Sequence, residues 1–192
     1  MSCVIVLGTY RSGTSAVAGV LHHLGVMMGE RFDEPSTANP KGYFEDLDFK
    51  DFHKQIMEGK DVDEDYVNLI KAREAKYDLW GVKDPQLCSL LPKLTENLSV
   101  DHYLINVERP IGEVADSLVR QLGQNHDDWK HLMERYKQAK SDNLEIYLGP
   151  ILTVNFSELI SDTKKVVNDI SVFLNLEFTL QAEQFIEQKN HE

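Results

Sequence analysis

The residues most able to do chemistry open the chain: Gly8-Thr9-Tyr10-Arg11-Ser12-Gly13-Thr14-Ser15 sets four serine and threonine hydroxyls, a phenol and a guanidinium between and just after two glycines. Successive backbone N–H groups of such a turn point inward, and a helix starting at its end adds about half a positive charge of macrodipole, so the turn suits a phosphate or sulfate. The spacing is that of the phosphate loop GxxxxGK[ST] with one substitution. Thr14 stands where a nucleoside triphosphatase has lysine, and the cation sits three residues earlier as Arg11. A metal-chelated triphosphate calls for the lysine and a hydroxyl on magnesium. Hydroxyls at Ser12, Thr14 and Ser15 with a guanidinium beside them suit a less highly charged group that needs hydrogen-bond donors more than a metal. Two more cations close apolar runs: Lys83 in Lys83-Asp84-Pro85, and Arg109 in Glu108-Arg109-Pro110, with Ser117 eight residues beyond Arg109.

These groups are positioned by an alternation of short apolar runs and amphipathic stretches. Val4–Leu7 reads as a buried strand leading into the turn. Ala16, Val17, Val20, Leu21 and Leu24 recur at helical spacing up to Gly25, a natural helix stop. Glu30–Lys41 is polar and turn-rich, and Leu47, Phe49, Phe52 and Ile56 resume helical spacing. Asp63–Lys76 carries Tyr66, Leu69 and Ile70 on one side and charges elsewhere, as a solvated surface helix or part of an acceptor lid would. Leu79–Val82, Tyr103–Val107 and Ile151–Asn155 read as strands. Helices follow them, patterned by Leu87, Leu90, Leu91 and Leu94, by Val114, Leu118 and Leu122, and over Thr163–Leu174 and Leu180–Ile186. A long helix spans Asp127 to about Leu148, its Lys130, Arg135, Lys137 and Lys140 read as a solvated face. Strands alternating with helices imply a parallel sheet covered on both faces. Right-handed crossovers then bring the strand ends at Gly8, Lys83 and Arg109 to one edge, a crevice for a nucleotide with anionic groups at two positions.

The loop sequence RSGTS after a strand resembles the 5′-phosphosulfate loop of sulfotransferases, enzymes whose sulfuryl donor is 3′-phosphoadenosine 5′-phosphosulfate (PAPS), and most resembles their bacterial-type members. Asn39-Pro40-Lys41-Gly42-Tyr43-Phe44-Glu45-Asp46 is similar to the motif that follows that loop in the family. Lys83-Asp84-Pro85 is similar to its K-x-P, and Arg109 with Ser117 to its 3′-phosphate signature, although Pro110 follows Arg109 directly where the family has proline two residues on. NFSELISDTKKVVNDISVFLNLEF resembles the family's C-terminal part, so the likeness covers most of the chain in order. It implies a three-layer α/β fold of the P-loop type, a mostly parallel sheet flanked by helices, as one domain over residues 1–192. It also implies that Arg11, Ser12, Gly13, Thr14 and Ser15 hold the phosphosulfate, Arg109 and Ser117 the 3′-phosphate, and that Arg11 and Lys83 stabilise charge in transfer. Glu45 becomes the candidate general base. The residue alone allows a second role, since a carboxylate at a helix N-terminus also caps the first turn.

Composition narrows the partners. Twenty basic against 32 acidic residues in a chain of 192 give a net charge of −12 with no basic run, which argues against nucleic acid, anionic membranes and long polyanionic acceptors. The length leaves little for a large acceptor domain, so a small acceptor, or a pocket completed in a homo-oligomer, is expected. Cys3 and Cys88 sit in apolar segments as small buried hydrophobes of a reducing compartment, and no histidine or cysteine spacing suggests a metal. A strand starting this near Met1 and the lack of an 18-residue apolar run read as a soluble, cytoplasmic protein. Two rivals stand beside the sulfotransferase. One is a magnesium-dependent P-loop kinase using Asp84 and Ser15 as metal ligands; the other is a non-catalytic nucleotide-binding module.

Overall fold

The computed structural model describes residues 1–36, 39–123 and 125–187; Thr37 and Ala38, within the polar segment before the NPKGYFED motif, lie outside them. Four strands, β1 (Ser2–Leu7), β2 (Leu79–Lys83), β3 (Asp101–Glu108) and β4 (Ile151–Asn155), form one sheet in the order β2-β1-β3-β4. Every pairing is parallel, with Val4 opposite Gly81 on one side and Tyr103 on the other. The chain first moves from β1 to β2, then crosses back over β1 to reach β3. The order therefore reverses between β1 and β3, and the carboxyl ends of those strands bound the crevice where open α/β sheets take ligands.

The side-chain period of two sends β1 into two cores. Val4 and Val6 pack with α1 (Thr14–His23), α8 (Thr163–Leu174) and α9 (Leu180–Glu187), while Cys3, Ile5 and Leu7 pack with α2 (Leu47–Met57), α3 (Asp63–Lys76) and α4 (Leu87–Thr95). Both cysteines are free and buried, and burial pushes their thiols up, Cys88 to about 12. Gly25, at φ 94°, ends α1 as expected: its N–H bonds the His22 carbonyl at 3.1 Å and the Val26 N–H bonds that of Leu21 at 3.0 Å. Glycine fits this left-handed position without a Cβ penalty. No helix among the described residues is long and apolar enough to cross a membrane.

Three elements differ from their sequence reading. The stretch after β4 turns at once into a short helix, α7 (Phe156–Ser161). In α3, Tyr66 and Ile70 are fully buried and the opposite face is exposed, as expected of a surface helix, but Arg73 and Glu74, read among its solvated charges, are each only 6% exposed. Between α5 (Ile111–Leu122) and β4 runs α6 (His126–Ile146), whose Lys140 is 3% exposed instead of solvated. Its ammonium donates to Asn106 Oδ1 at 3.0 Å, to the Val107 carbonyl at 3.3 Å and to Glu108 Oε1 at 2.7 Å. The polar end of β3 needs donors where it meets α6, and a long flexible lysine supplies them.

Gly81 sits where α1's trailing segment crosses β2. A Cβ there would lie 2.6 Å from Met28 Sδ and 3.0 Å from the Val4 carbonyl oxygen. Gly81→Val is expected to cost about 2 kcal/mol in urea denaturation through overpacking.

Candidate functional site

The phosphate loop is shaped before any ligand is considered. Ser12 N–H and Ser12 Oγ both bond the Thr9 carbonyl, at 3.2 and 2.7 Å, closing the turn on itself. Ser12 thus departs from its expected part: the hydroxyl is buried within the loop and the residue does not line the cavity. Arg11 has φ 60°, a left-handed conformation that an L-residue holds only when its surroundings fix it. Gly13, at φ 101°, lies under the ring of Phe156, and a Cβ there would stand 2.2 Å from that ring. The turn delivers Thr14 and Ser15 as the first residues of α1, with no carboxylate in that first turn to oppose an anion.

The ends of β1 and β3 meet through their cations. Arg11 Nε donates to Ser117 Oγ at 3.1 Å, and Arg109 Nη1 donates to the Arg11 carbonyl at 3.0 Å. The Arg109 guanidinium lies 4.5 Å from the centre of the Phe156 ring and pairs with Glu113 at 3.2 Å. Burial pulls Arg11 down from its ordinary value; Tyr43 opposes this, while Arg109 and Arg120 add to it. Two guanidiniums and a hydroxyl gathered this closely suit an anion, which charge-assisted hydrogen bonds can hold.

The end of β2 supplies the other pole. Lys83 is 2% exposed, and its ammonium bridges Glu45 Oε1 at 2.6 Å and Ser15 Oγ at 3.2 Å. Burial lowers its pKa against the pull of Glu45. The second Glu45 oxygen lies 3.7 Å from Lys50, which is also bonded to Asp33. Glu45 does not cap α2. That part falls to Asp46, whose carboxylate accepts the Asp48 N–H at 3.1 Å. Beside Lys83, Asp84 turns away: Oδ1 accepts the Gln86 N–H at 2.9 Å and Oδ2 meets Nδ1 of the fully buried His53 at 2.9 Å. Nε2 of His53 reaches the Tyr66 hydroxyl at 3.0 Å.

These groups line one cavity of about 340 Å³ that includes Arg11, Gly13, Thr14, Ser15, Glu45, Lys83 and Arg109. Ser117 is buried and does not line the cavity; it is tied to it through Arg11. Among the described residues no cluster of three or more His, Cys, Asp or Glu side chains is arranged to hold a metal ion. Sequence reading missed several contributors. Phe156 follows the last strand directly, so the strand-end rule could have found it. Lys50, one turn into α2, and the Tyr10 ring of the loop carry no distinguishing pattern. Burial, Tyr136, Asp84 and Glu45 all raise the Tyr10 phenol, so it stays protonated.

Arg73 is the missed residue that sets the position of Glu45. Its guanidinium bonds Glu30 Oε1, Asp46 Oδ2 and Asp48 Oδ2, each at 2.9 Å, with only 7% of its side chain exposed. Asp46 Oδ2 also accepts the Glu30 N–H at 3.2 Å. The polar segment, the start of α2 and the end of α3 are thereby fastened at one point, next to the candidate base. Arg73 completes the Tyr66, Leu69, Ile70 stripe at helical spacing, which was the available signal.

No protein-family model matches the sequence, and no curated protein matches it. Solved structures share its fold. The chain is similar to the sulfotransferase domain of the olefin synthase from Synechococcus PCC 7002, with a TM-score of 0.61 and 17% identity over 95% of this chain and 76% of that one. It is also similar to a sulfotransferase domain from the curacin biosynthetic pathway, with a TM-score of 0.54 and 18% identity over 93% and 75% of the two chains. The α/β architecture with its parallel sheet is the sulfotransferase fold of these neighbours.

Removing Arg73 leaves the nearly buried Asp46 without its counter-ion. Arg73→Met is expected to lose about 3 kcal/mol of stability. A double-mutant cycle with Asp46→Asn should give a coupling above about 1 kcal/mol by chemical denaturation.

Proposed function

We propose that the protein is a PAPS-dependent sulfotransferase acting on a hydroxyl or amine of a small acceptor. The observation that carries this reading is the buried Lys83 ammonium shared between Ser15 of the phosphate loop and Glu45, in the cavity that also receives Arg11 and Arg109. A cation, a loop hydroxyl and a carboxylate side by side are the set that an in-line sulfuryl transfer needs. The loop N–H groups with Thr14 and Ser15 hold the 5′-phosphosulfate, and Arg109 with Ser117 takes the 3′-phosphate. The acceptor oxygen or nitrogen attacks sulfur, a new bond to sulfur forms, and the bond to the bridging phosphate oxygen breaks. Glu45 takes the proton, and adenosine 3′,5′-bisphosphate leaves. Lys83 and Arg11 offset charge on the bridging and sulfuryl oxygens. Lys83 must release Glu45 to do so, which couples donor arrival to exposure of the base.

The same geometry weighs against the magnesium kinase. The hydroxyl that would ligate magnesium, Ser15, already has the Lys83 ammonium at 3.2 Å, and the Asp84 carboxylate is engaged by His53 and the Gln86 N–H. A fixed ammonium repels a divalent ion from that spot. The kinship in fold with sulfotransferase domains supports the same reading.

Calorimetry with PAPS, adenosine 3′,5′-bisphosphate and ATP tests it. The first two are expected to bind without magnesium and far better than ATP; tight, magnesium-dependent ATP binding with no response to the bisphosphate would refute the proposal. Arg109→Ala is expected to weaken bisphosphate binding by about 2 kcal/mol or more while sparing a ligand that lacks the 3′-phosphate. Glu45→Gln should lower sulfuryl transfer by about a hundredfold and retain bisphosphate binding. Full activity in that variant would return Glu45 to a structural part.

A further inference from the structure

The cavity has two electrostatic halves. Its cations are Arg11, Lys50, Lys83 and Arg109, and its carboxylates are Asp33, Glu45 and Asp84. Taking the donor site as proposed above, on which this inference rests, Arg11, Lys83 and Arg109 face the anionic donor. With Asp84 turned toward His53 and the Gln86 N–H, what remains for the acceptor is two carboxylates, Asp33 and Glu45, against one ammonium. That ammonium, Lys50, is already bonded to Asp33 and lies 3.7 Å from Glu45.

Part of the side-chain donor capacity on this wall is already used: the Asn39 amide donates to the Gly42 carbonyl at 2.6 Å, and the Tyr43 hydroxyl is paired with Ser36 at 2.8 Å. Gln86 lines the cavity, and its buried Oε1 has no partner among the described residues. A buried carbonyl of this kind is completed by an N–H or O–H donor, from a ligand or a water. Asp33 and Glu45 reach the same Lys50 ammonium, so they stand within two ion-pair lengths of each other, with Glu45 beside the nucleophile.

We infer that the acceptor is a hydroxyl compound bearing an ammonium group, an amino alcohol or aminophenol, with the ammonium on Asp33 and the nucleophile at Glu45. A hydroxy acid meets the opposite field. The ammonium takes the place of Lys50 on Asp33.

The test uses three matched phenols on protein saturated with adenosine 3′,5′-bisphosphate: 3-(aminomethyl)phenol, 3-ethylphenol and 3-hydroxybenzoate. By calorimetry the first is expected to bind about tenfold more tightly than the second, with the third weakest. Added salt should narrow the spread, because this wall is partly exposed. Asp33→Asn should bring the cation-to-neutral ratio to about threefold or less, and Asp33→Lys should reverse the order. With PAPS, release of the bisphosphate should follow the same ranking. Equal affinities, or preference for the carboxylate, would overturn the acceptor class while leaving the donor reading intact. Failure of the bisphosphate to bind would overturn both.

Discussion

A buried ammonium cannot stay charged without partners, and the site is built around that constraint at Lys83. An unpaired charge at 2% exposure would be costly, so Glu45 and Ser15 must both be brought to it. Meeting the first demand fixes the segment before α2; meeting the second fixes the start of α1. The lysine ends β2, which is hydrogen-bonded to β1 along its length, so the phosphate loop and the candidate base share one rigid reference. The crevice between β1 and β3 then needs only the guanidiniums of Arg11 and Arg109 to become a two-pole anion site.

Behind this pair stands a second layer of buried polar groups. Arg73 holds Asp46, which frees the neighbouring Glu45 from capping α2. His53 and Tyr66 hold Asp84, which leaves Lys83 to face Glu45 rather than its own neighbour in sequence. Each network is nearly satisfied, so each rigidifies what it touches, and removing one member would strand the others.

The parts legible in the sequence were those with local causes. Apolar runs before Gly8, Lys83 and Arg109 marked strands, the alternation with helices marked a parallel sheet, and Gly25 marked a helix end. The gathering of three strand ends followed from handedness alone. What was not legible depended on partners far along the chain. Lys140 looks like one more charge on an exposed helix until Asn106 and Glu108 are placed beside it. Ser12 reads as a ligand donor, and only the turn's own geometry sends its hydroxyl to Thr9. Base and cap could not be separated at Glu45 because two carboxylates are adjacent there, and the backbone at Asp46 decides which one faces α2.

The origins of the two halves of the cavity differ. Arg11, Lys83 and Arg109 come from three different strand ends, and changing the path of any one disturbs sheet pairing shared by its neighbours. Asp33, Tyr43 and Glu45 lie instead in one continuous stretch between α1 and α2, clasped by Arg73 at Glu30 and Asp46 and by the packing of Phe44 against His22, Phe32 and Phe185. That stretch behaves as a cassette. With Glu45 kept as the partner of Lys83, positions such as Asp33 and Tyr43 can be exchanged while the sheet and the anion site stay as they are, so a new pocket wall can evolve or be engineered here.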